Sequence, residues 1–239
     1  MNLVLLPGLD GTGLLFQPLL QKIQSEIKIL VVKYPSDKQL SYPQLIKCVL
    51  AQLPPNKSLI ILAESFSGPI AIDLLRSSPQ NIRGVIFCAT FAKTPRPFLL
   101  HFATILPLSK ILRLPIPLPI IRFFCFGKEA SDSLLSQFQE SLNQVQPTIL
   151  AQRLKMLTHI NVVSALTNIQ IPCCYIQAID DKLVPAQNLL PFQTMLPNLW
   201  IIKKIKGPHF MLQVKPEACV EVIKDFLQMI RQDDRYSDK

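Results

Sequence analysis

The chain of 239 residues contains no apolar run of the roughly 18–20 residues needed to span a bilayer, although 49% of its residues are hydrophobic and its mean hydropathy is +0.30. The nearest approach, Pro97 to Phe126, is interrupted by Lys110, Arg113 and Arg122 and by four further prolines, so it reads as a greasy, irregular surface piece. C-x-x-C spacing is missing too. Cys48, Cys88, Cys125, Cys173, Cys174 and Cys219 fall mostly in apolar runs, which speaks against a zinc site or a disulfide framework and for buried free thiols. A positively charged leader is lacking, and the opening M-N-L-V-L-L reaches Pro7-Gly8 too soon for a signal peptide's apolar core, which predicts a cytoplasmic protein.

Acidic residues are absent from one long window. Between Asp73 and Glu129 there is none, while eight lysines and arginines lie from Arg76 to Lys128, so nearly all of the formal charge of +9 belongs to this segment. The same window is the greasiest part of the chain. Its cations are interleaved with prolines and aliphatics and match no nucleic-acid-binding motif, which excludes a nucleic-acid partner. Two readings of the window remain. It is a lid whose apolar face covers a pocket, or segment 76–128 docks on an acidic partner, either an acyl carrier protein or an anionic membrane surface.

What is present is a regular alternation. Apolar, β-branched runs at Leu3–Leu6, Ile27–Val32, Leu59–Leu62, Val85–Cys88, Cys173–Ile176 and Trp200–Ile202 read as strands. Helical sequence separates most of them, at Leu15–Ile27, Tyr42–Leu53, Pro69–Arg76 and Pro185–Met195, and Pro216–Arg231 follows the last. Strand alternating with helix implies an α/β fold with a mostly parallel sheet of about six continuously apolar strands, covered by helices on both faces. The length suits a single domain over residues 1–231, with a charged, disordered tail at 232–239. The alternation fails only over about 93–168. Helices near Ser131–Val145 and Pro147–Leu157 make that stretch an inserted helical lid.

In an open parallel sheet the residues just past the carboxyl ends of the strands carry the chemistry. After the first strand comes P-G-L-D-G-T-G, where glycines 8, 11 and 13 leave backbone N–H groups free to approach a ligand. After the third comes A-E-S-F-S-G, after the fifth I-D-D-K-L-V-P, and after the sixth K-G-P-H-F. Ser65, an aspartate (Asp180 or Asp181) and His209 thus follow in order, each just beyond a strand. A serine hydroxyl is a weak nucleophile that needs a base within reach and a third group to orient that base. The plainer readings are an N-cap for Ser65, a helix cap for Asp181, a loop role for His209 and a turn-stabilising one for Asp10. Glu64 either tunes the site or makes a buried structural contact. His101 and His159 fall in the lid region and read as structural or surface residues.

These motifs, in this order, resemble the α/β-hydrolase superfamily over nearly the whole chain. The L-P-G-L-D-G-T-G opening and the A-E-S-F-S-G-P turn resemble a subgroup of small serine hydrolases, and also the hydrolase-like part of plant esterase/lipase/thioesterase proteins, some of which transfer acyl groups. Ala63 and Ser67 stand where the usual G-x-S-x-G has glycines, and Gly68 follows one place later. The resemblance implies Ser65 as nucleophile, His209 as base and Asp181 as the orienting acid, with Asp180 the second choice. It implies an oxyanion hole from the backbone N–H groups of Leu9 and Phe66, and no metal or organic cofactor. The implied activity is hydrolysis of carboxylic esters or thioesters of an apolar acyl group. The alternatives are acyl transfer to an alcohol, cleavage of esters or thioesters on acyl carrier protein, as small relatives in biotin synthesis perform, and a non-catalytic binding module.

Overall fold

The computed structural model describes residues 1–23, 27–76 and 81–233. The sheet has six strands, β1 (Asn2–Leu6), β2 (Lys28–Val31), β3 (Leu59–Glu64), β4 (Ile82–Cys88), β5 (Cys173–Ala178) and β6 (Leu199–Ile205). They lie in the order β2-β1-β3-β4-β5-β6, and every pairing is parallel. Eleven helices are described. They are α1 (Gln17–Lys22), α2 (Tyr42–Gln52), α3 (Ser67–Arg76), α4 (Pro97–Ile105), α5 (Leu108–Ile111), α6 (Leu118–Ile121), α7 (Asp132–Asn143), α8 (Pro147–Met156), α9 (Leu190–Met195), α10 (Met211–Val214) and α11 (Pro216–Gln232).

The period of two along each strand assigns its side chains to two cores. Val4, Leu6, Ile61, Ala63, Val85, Phe87 and Tyr175 face the layer of α2, α3 and α9. Leu3, Leu5, Ile60, Leu62, Ile86, Cys174 and Ile176 face α1, α10 and α11. Each valine, leucine, isoleucine or phenylalanine buried in this way contributes about 1.5–3 kcal/mol, which is why the inner strands are apolar at successive positions. The edge is different. β6 runs three residues past the predicted stretch and carries exposed Lys203 and Lys204, which guard its unpaired side against association with another strand.

Residues 89–172 connect β4 to β5 and carry α4 to α8. The piece over Pro97–Phe126, expected to be irregular, is largely helical: α4, α5 and α6 are followed by a π-helical turn over Arg122–Phe126. Its prolines do not break these helices, because Pro97 and Pro119 occupy the first turn of α4 and α6, where the missing N–H has no partner to lose, and Pro107 precedes α5. A third cluster, including Leu15, Phe126, Leu135 and Phe138, fastens this connection to the rest. Among the described residues no helix is long and apolar enough to cross a membrane. The six cysteines are free; Cys88, Cys173, Cys174 and Cys219 are buried, whereas Cys48 and Cys125 are only partly so. The expected disordered tail lies largely outside the described residues; Gln232 ends α11, and the Asp233 N–H bonds to the Met229 carbonyl.

The chain leaves β1 for β2 on one side and β3 for β4 on the other, so the crevice beyond β1 and β3 is the point where the winding reverses. One glycine decides how closely the second layer approaches. At Gly84 in β4 an added side chain would press on Ile60, Phe226 and Ile230. Gly84→Val is therefore expected to cost about 1–3 kcal/mol by overpacking under α11. Urea unfolding checks this, and an unchanged midpoint would mean that α11 does not pack so closely.

Candidate active site

Ser65 is the first residue beyond β3, and its φ is +49°. A non-glycine residue in the left-handed region costs about 1–3 kcal/mol, so the surroundings must hold it there. They do so from several sides. The Ser65 N–H donates to the Cys88 carbonyl at 3.0 Å, and the Thr90 hydroxyl donates to the Ser65 carbonyl at 2.5 Å. Tyr175 in β5 donates in turn to the Thr90 carbonyl at 2.6 Å. Thr90 lies against the start of α3 at Gly68, where any β-carbon would collide with it. That is why a glycine is needed at 68.

The turn leaves Ser65 Oγ free to meet His209, which follows β6 and is only 4% exposed. Ser65 Oγ and His209 Nε2 are 2.8 Å apart, and His209 Nδ1 and Asp181 Oδ2 are 2.7 Å apart. An ionised carboxylate only accepts, so Nδ1 carries the proton and Nε2 is left to accept from the serine. The other oxygen of Asp181 accepts the N–H groups of Leu183 and Val184, both at 2.8 Å, which fixes the carboxylate. Asp180 is exposed and uses its N–H on the Gly207 carbonyl. The structure thus brings Ser65, His209 and Asp181 together and leaves Asp180 outside. Ser65 Oγ is engaged with His209, and it is the Ser65 carbonyl that accepts the Gly68 N–H in the first turn of α3, at 3.1 Å. His101 and His159 border an open groove between α4 and α8 rather than this site.

The loop after β1 lies alongside, held at almost every peptide. The Ser67 hydroxyl donates to the Pro7 carbonyl and accepts from Tyr34 at 2.5 Å. The Gly8 carbonyl accepts from the Gly11 N–H at 3.1 Å. Arg153 of α8, 2% exposed, donates to the carbonyls of Leu9 at 2.9 Å, Asp10 at 2.6 Å and Pro35 at 2.9 Å. Asp10 accepts the N–H and hydroxyl of Thr12, the turn-stabilising role expected of it. With the Gly8 and Leu9 carbonyls both engaged, the amide between these residues has one orientation. Among the described residues the N–H groups of Leu9 and Phe66 find no acceptor within the protein. Phe66 is buried, with its ring stacked on Tyr42.

Arg153 was not legible as a site residue. Its signal is an arginine inside an apolar stripe, with Ile149, Leu150, Leu154 and Leu157 at helical spacing around it. Glu64 proves to be buried beside the site, accepting from Gln213 at 2.9 Å. Burial pushes its carboxyl up to about 7, against the Gln213 bond and the nearby imidazole. Burial disfavours the charged form of His209, but the Asp181 charge and hydrogen bond, with the Glu64 charge, outweigh this and raise its pKa above the ordinary value. A cavity of about 210 Å³ opens from Ser65 and His209, with Leu100, Phe138, Leu154 and Phe210 among its mostly apolar walls. No group of three or more potential metal-ligating side chains occurs among the described residues.

No protein-family model and no curated protein matches this sequence. Solved structures do. A lipase-esterase related protein from Clostridium acetobutylicum shares 18% identity over 94% of this chain and 93% of its own, with a TM-score of 0.76. A hydrolase from Oleispira antarctica shares 16% over 95% and 91%, with a TM-score of 0.80. An esterase from Exiguobacterium antarcticum shares 13% over 95% and 92%, with a TM-score of 0.78. At these identities the likeness establishes the fold, which is that of the α/β-hydrolases.

Two acidic neighbours hold the proton on His209, so removing either charge should release it at lower pH. NMR titration of the ring is expected to give a pKa above about 6.5 in the wild type, and lower values in Asp181→Asn and Glu64→Gln. A wild-type value below 6.5, or no response to Glu64→Gln, would contradict this electrostatic account.

Proposed function

We propose that this α/β-hydrolase-fold protein is a serine hydrolase that cleaves carboxylic esters or thioesters of an apolar acyl group. One observation carries the reading: a serine in a strained strand-to-helix turn, 2.8 Å from a histidine that is itself bonded to a buried aspartate, at the end of an apolar cavity. The nearest bland explanation, a helix cap, does not account for the strain or for the buried imidazole and carboxylate. The structural neighbours, an esterase and a lipase-esterase related protein among them, support the same class.

In this reading Ser65 Oγ attacks the acyl carbonyl while its proton passes to His209 Nε2. Asp181 keeps the imidazole in the required tautomer and stabilises the cation that forms. The negative charge that develops on the carbonyl oxygen is met by the unengaged N–H groups of Leu9 and Phe66. Loss of one such donor typically costs ~2.7–4 kcal/mol of transition-state stabilisation, so the bonds from Arg153 to the Leu9 carbonyl and from Gly11 to the Gly8 carbonyl, which fix the Leu9 peptide, are part of the catalytic arrangement. His209 then gives its proton to the departing alcohol or thiol, and water attacks the acyl-enzyme by the same route in reverse. The connection between β4 and β5 acts as the lid, since it supplies more than half of the cavity wall, Leu100 of α4, Phe138 of α7 and Leu154 of α8 included. At about 210 Å³ that cavity is smaller than the ~300–1,000 Å³ usual for ligand sites, which favours short acyl groups when the lid is in this position.

Turnover of a series of p-nitrophenyl esters tests the proposal. Ser65→Ala and His209→Ala are each expected to lower kcat by at least about 10⁴-fold. In the wild type kcat/KM should fall as pH drops through the raised pKa of His209, because the protonated ring accepts nothing. Activity that persists in folded Ser65→Ala protein would refute the assignment.

A further inference from the structure

The connection between β4 and β5 turns outward the kind of side chain that a protein ordinarily hides. On α4, Phe98, Phe102 and Ile105 stand at i, i+4 and i+7, one stripe of a helix, and are 83%, 67% and 70% exposed. Leu99, Leu106, Ile111, Leu114, Leu118, Ile120, Phe123 and Phe124 follow along the same connection and are exposed as well. Eleven of the sixteen large apolar side chains exposed among the described residues therefore fall between positions 98 and 124, and the other five are scattered singly. Scattered apolar residues need no explanation; a concentration of this kind marks a surface that is covered in use.

Charge decides what covers it. Lys93, Lys110, Arg113 and Lys128 are exposed in or beside this stretch, and no carboxylate occurs from residue 74 to residue 128. A second copy of the chain would bring the same cations face to face. An acidic carrier protein would satisfy the cations and leave the phenylalanines against a polar surface. An anionic bilayer satisfies both, with lipid headgroups for the lysines and arginines and acyl chains for the aromatic and aliphatic side chains. α4 has nine residues, and α5 and α6 have four each, so the segment lies in the interface and does not cross it.

We propose that the β4–β5 connection is a docking surface for an anionic lipid bilayer. Its position gives the docking a use. Leu99, Leu100, Arg96 and Cys125 from this connection line the cavity that contains Ser65, and Lys182, next to Asp181, lies 3.1 Å over the ring of exposed Phe123. A protein seated on this face holds the mouth of its cavity at the lipid surface, where apolar acyl esters partition. That last step rests on the esterase reading; docking itself does not.

The test is co-sedimentation of the full chain carrying Ser65→Ala, which cannot consume lipid, with vesicles of phosphatidylcholine alone or mixed with phosphatidylglycerol. Binding is expected with the mixed vesicles, weakened by salt, and at least tenfold weaker with phosphatidylcholine alone. A Phe98→Ser/Phe102→Ser/Ile105→Ser variant should lose binding at least tenfold. The same triple change in the wild-type background should leave turnover of a water-soluble ester unaltered, since these residues lie outside the catalytic cavity. No binding to either vesicle would overturn the proposal. So would binding that survives the triple change, or a dimer in vesicle-free sedimentation that the triple change dissolves. Vesicle binding and ester turnover are read separately, so either reading can fall without the other.

Discussion

Everything at this site depends on one unfavourable backbone conformation. Ser65 sits at positive φ between the last residue of β3 and the first turn of α3, a position that a serine does not adopt by preference. The sheet imposes it. β4 anchors the Ser65 N–H through Cys88, Thr90 beyond β4 anchors its carbonyl, and β5 anchors Thr90 through Tyr175. Three neighbouring strands therefore hold one residue in tension. The result is a hydroxyl that projects beyond the sheet, where residues following β5 and β6 reach it.

The second constraint is the loop after β1, which has no regular secondary structure at Pro7–Gly13 and must be stiffened by side chains from elsewhere. Those side chains come from distant parts of the chain: Ser67 at the start of α3 and Arg153 from α8. Placing a buried guanidinium there is costly unless it is fully engaged, and burial lowers its pKa. Three backbone carbonyls and the face of Tyr34 satisfy it. Because Arg153 belongs to the β4–β5 connection, that connection is tied to the loop as well as roofing the cavity. The position of α8 and the geometry of the Leu9 peptide are tied together through this side chain.

The architecture was legible in the sequence because the inner strands of a parallel sheet are buried on both faces and so appear as unbroken apolar runs. It was least legible where that condition lapses. β6 extends through Lys203 and Lys204 because an edge strand meets water, and the prolines of 97–126 suggested irregularity although they sit where helices begin. The residues just past the strands could be found because the fold places them by position. The choice between Asp180 and Asp181 could not be made from composition, since it depends on which side chain turns inward. Arg153 and Thr90 were not found at all, because their partners lie 25 to 144 residues away and only the folded chain brings them together.

The central claim is that Ser65 Oγ is an activated nucleophile, and the most direct measurement is the site of its covalent modification. The purified protein would be treated with a fluorophosphonate and digested with trypsin, which releases residues 58–76 as one peptide, and the adduct located by fragmentation mass spectrometry. The account predicts a single adduct on Ser65 and none on Ser67 of the same peptide, whose hydroxyl is committed to the Pro7 carbonyl. A folded protein that remains unmodified, or that carries the adduct elsewhere, would contradict it.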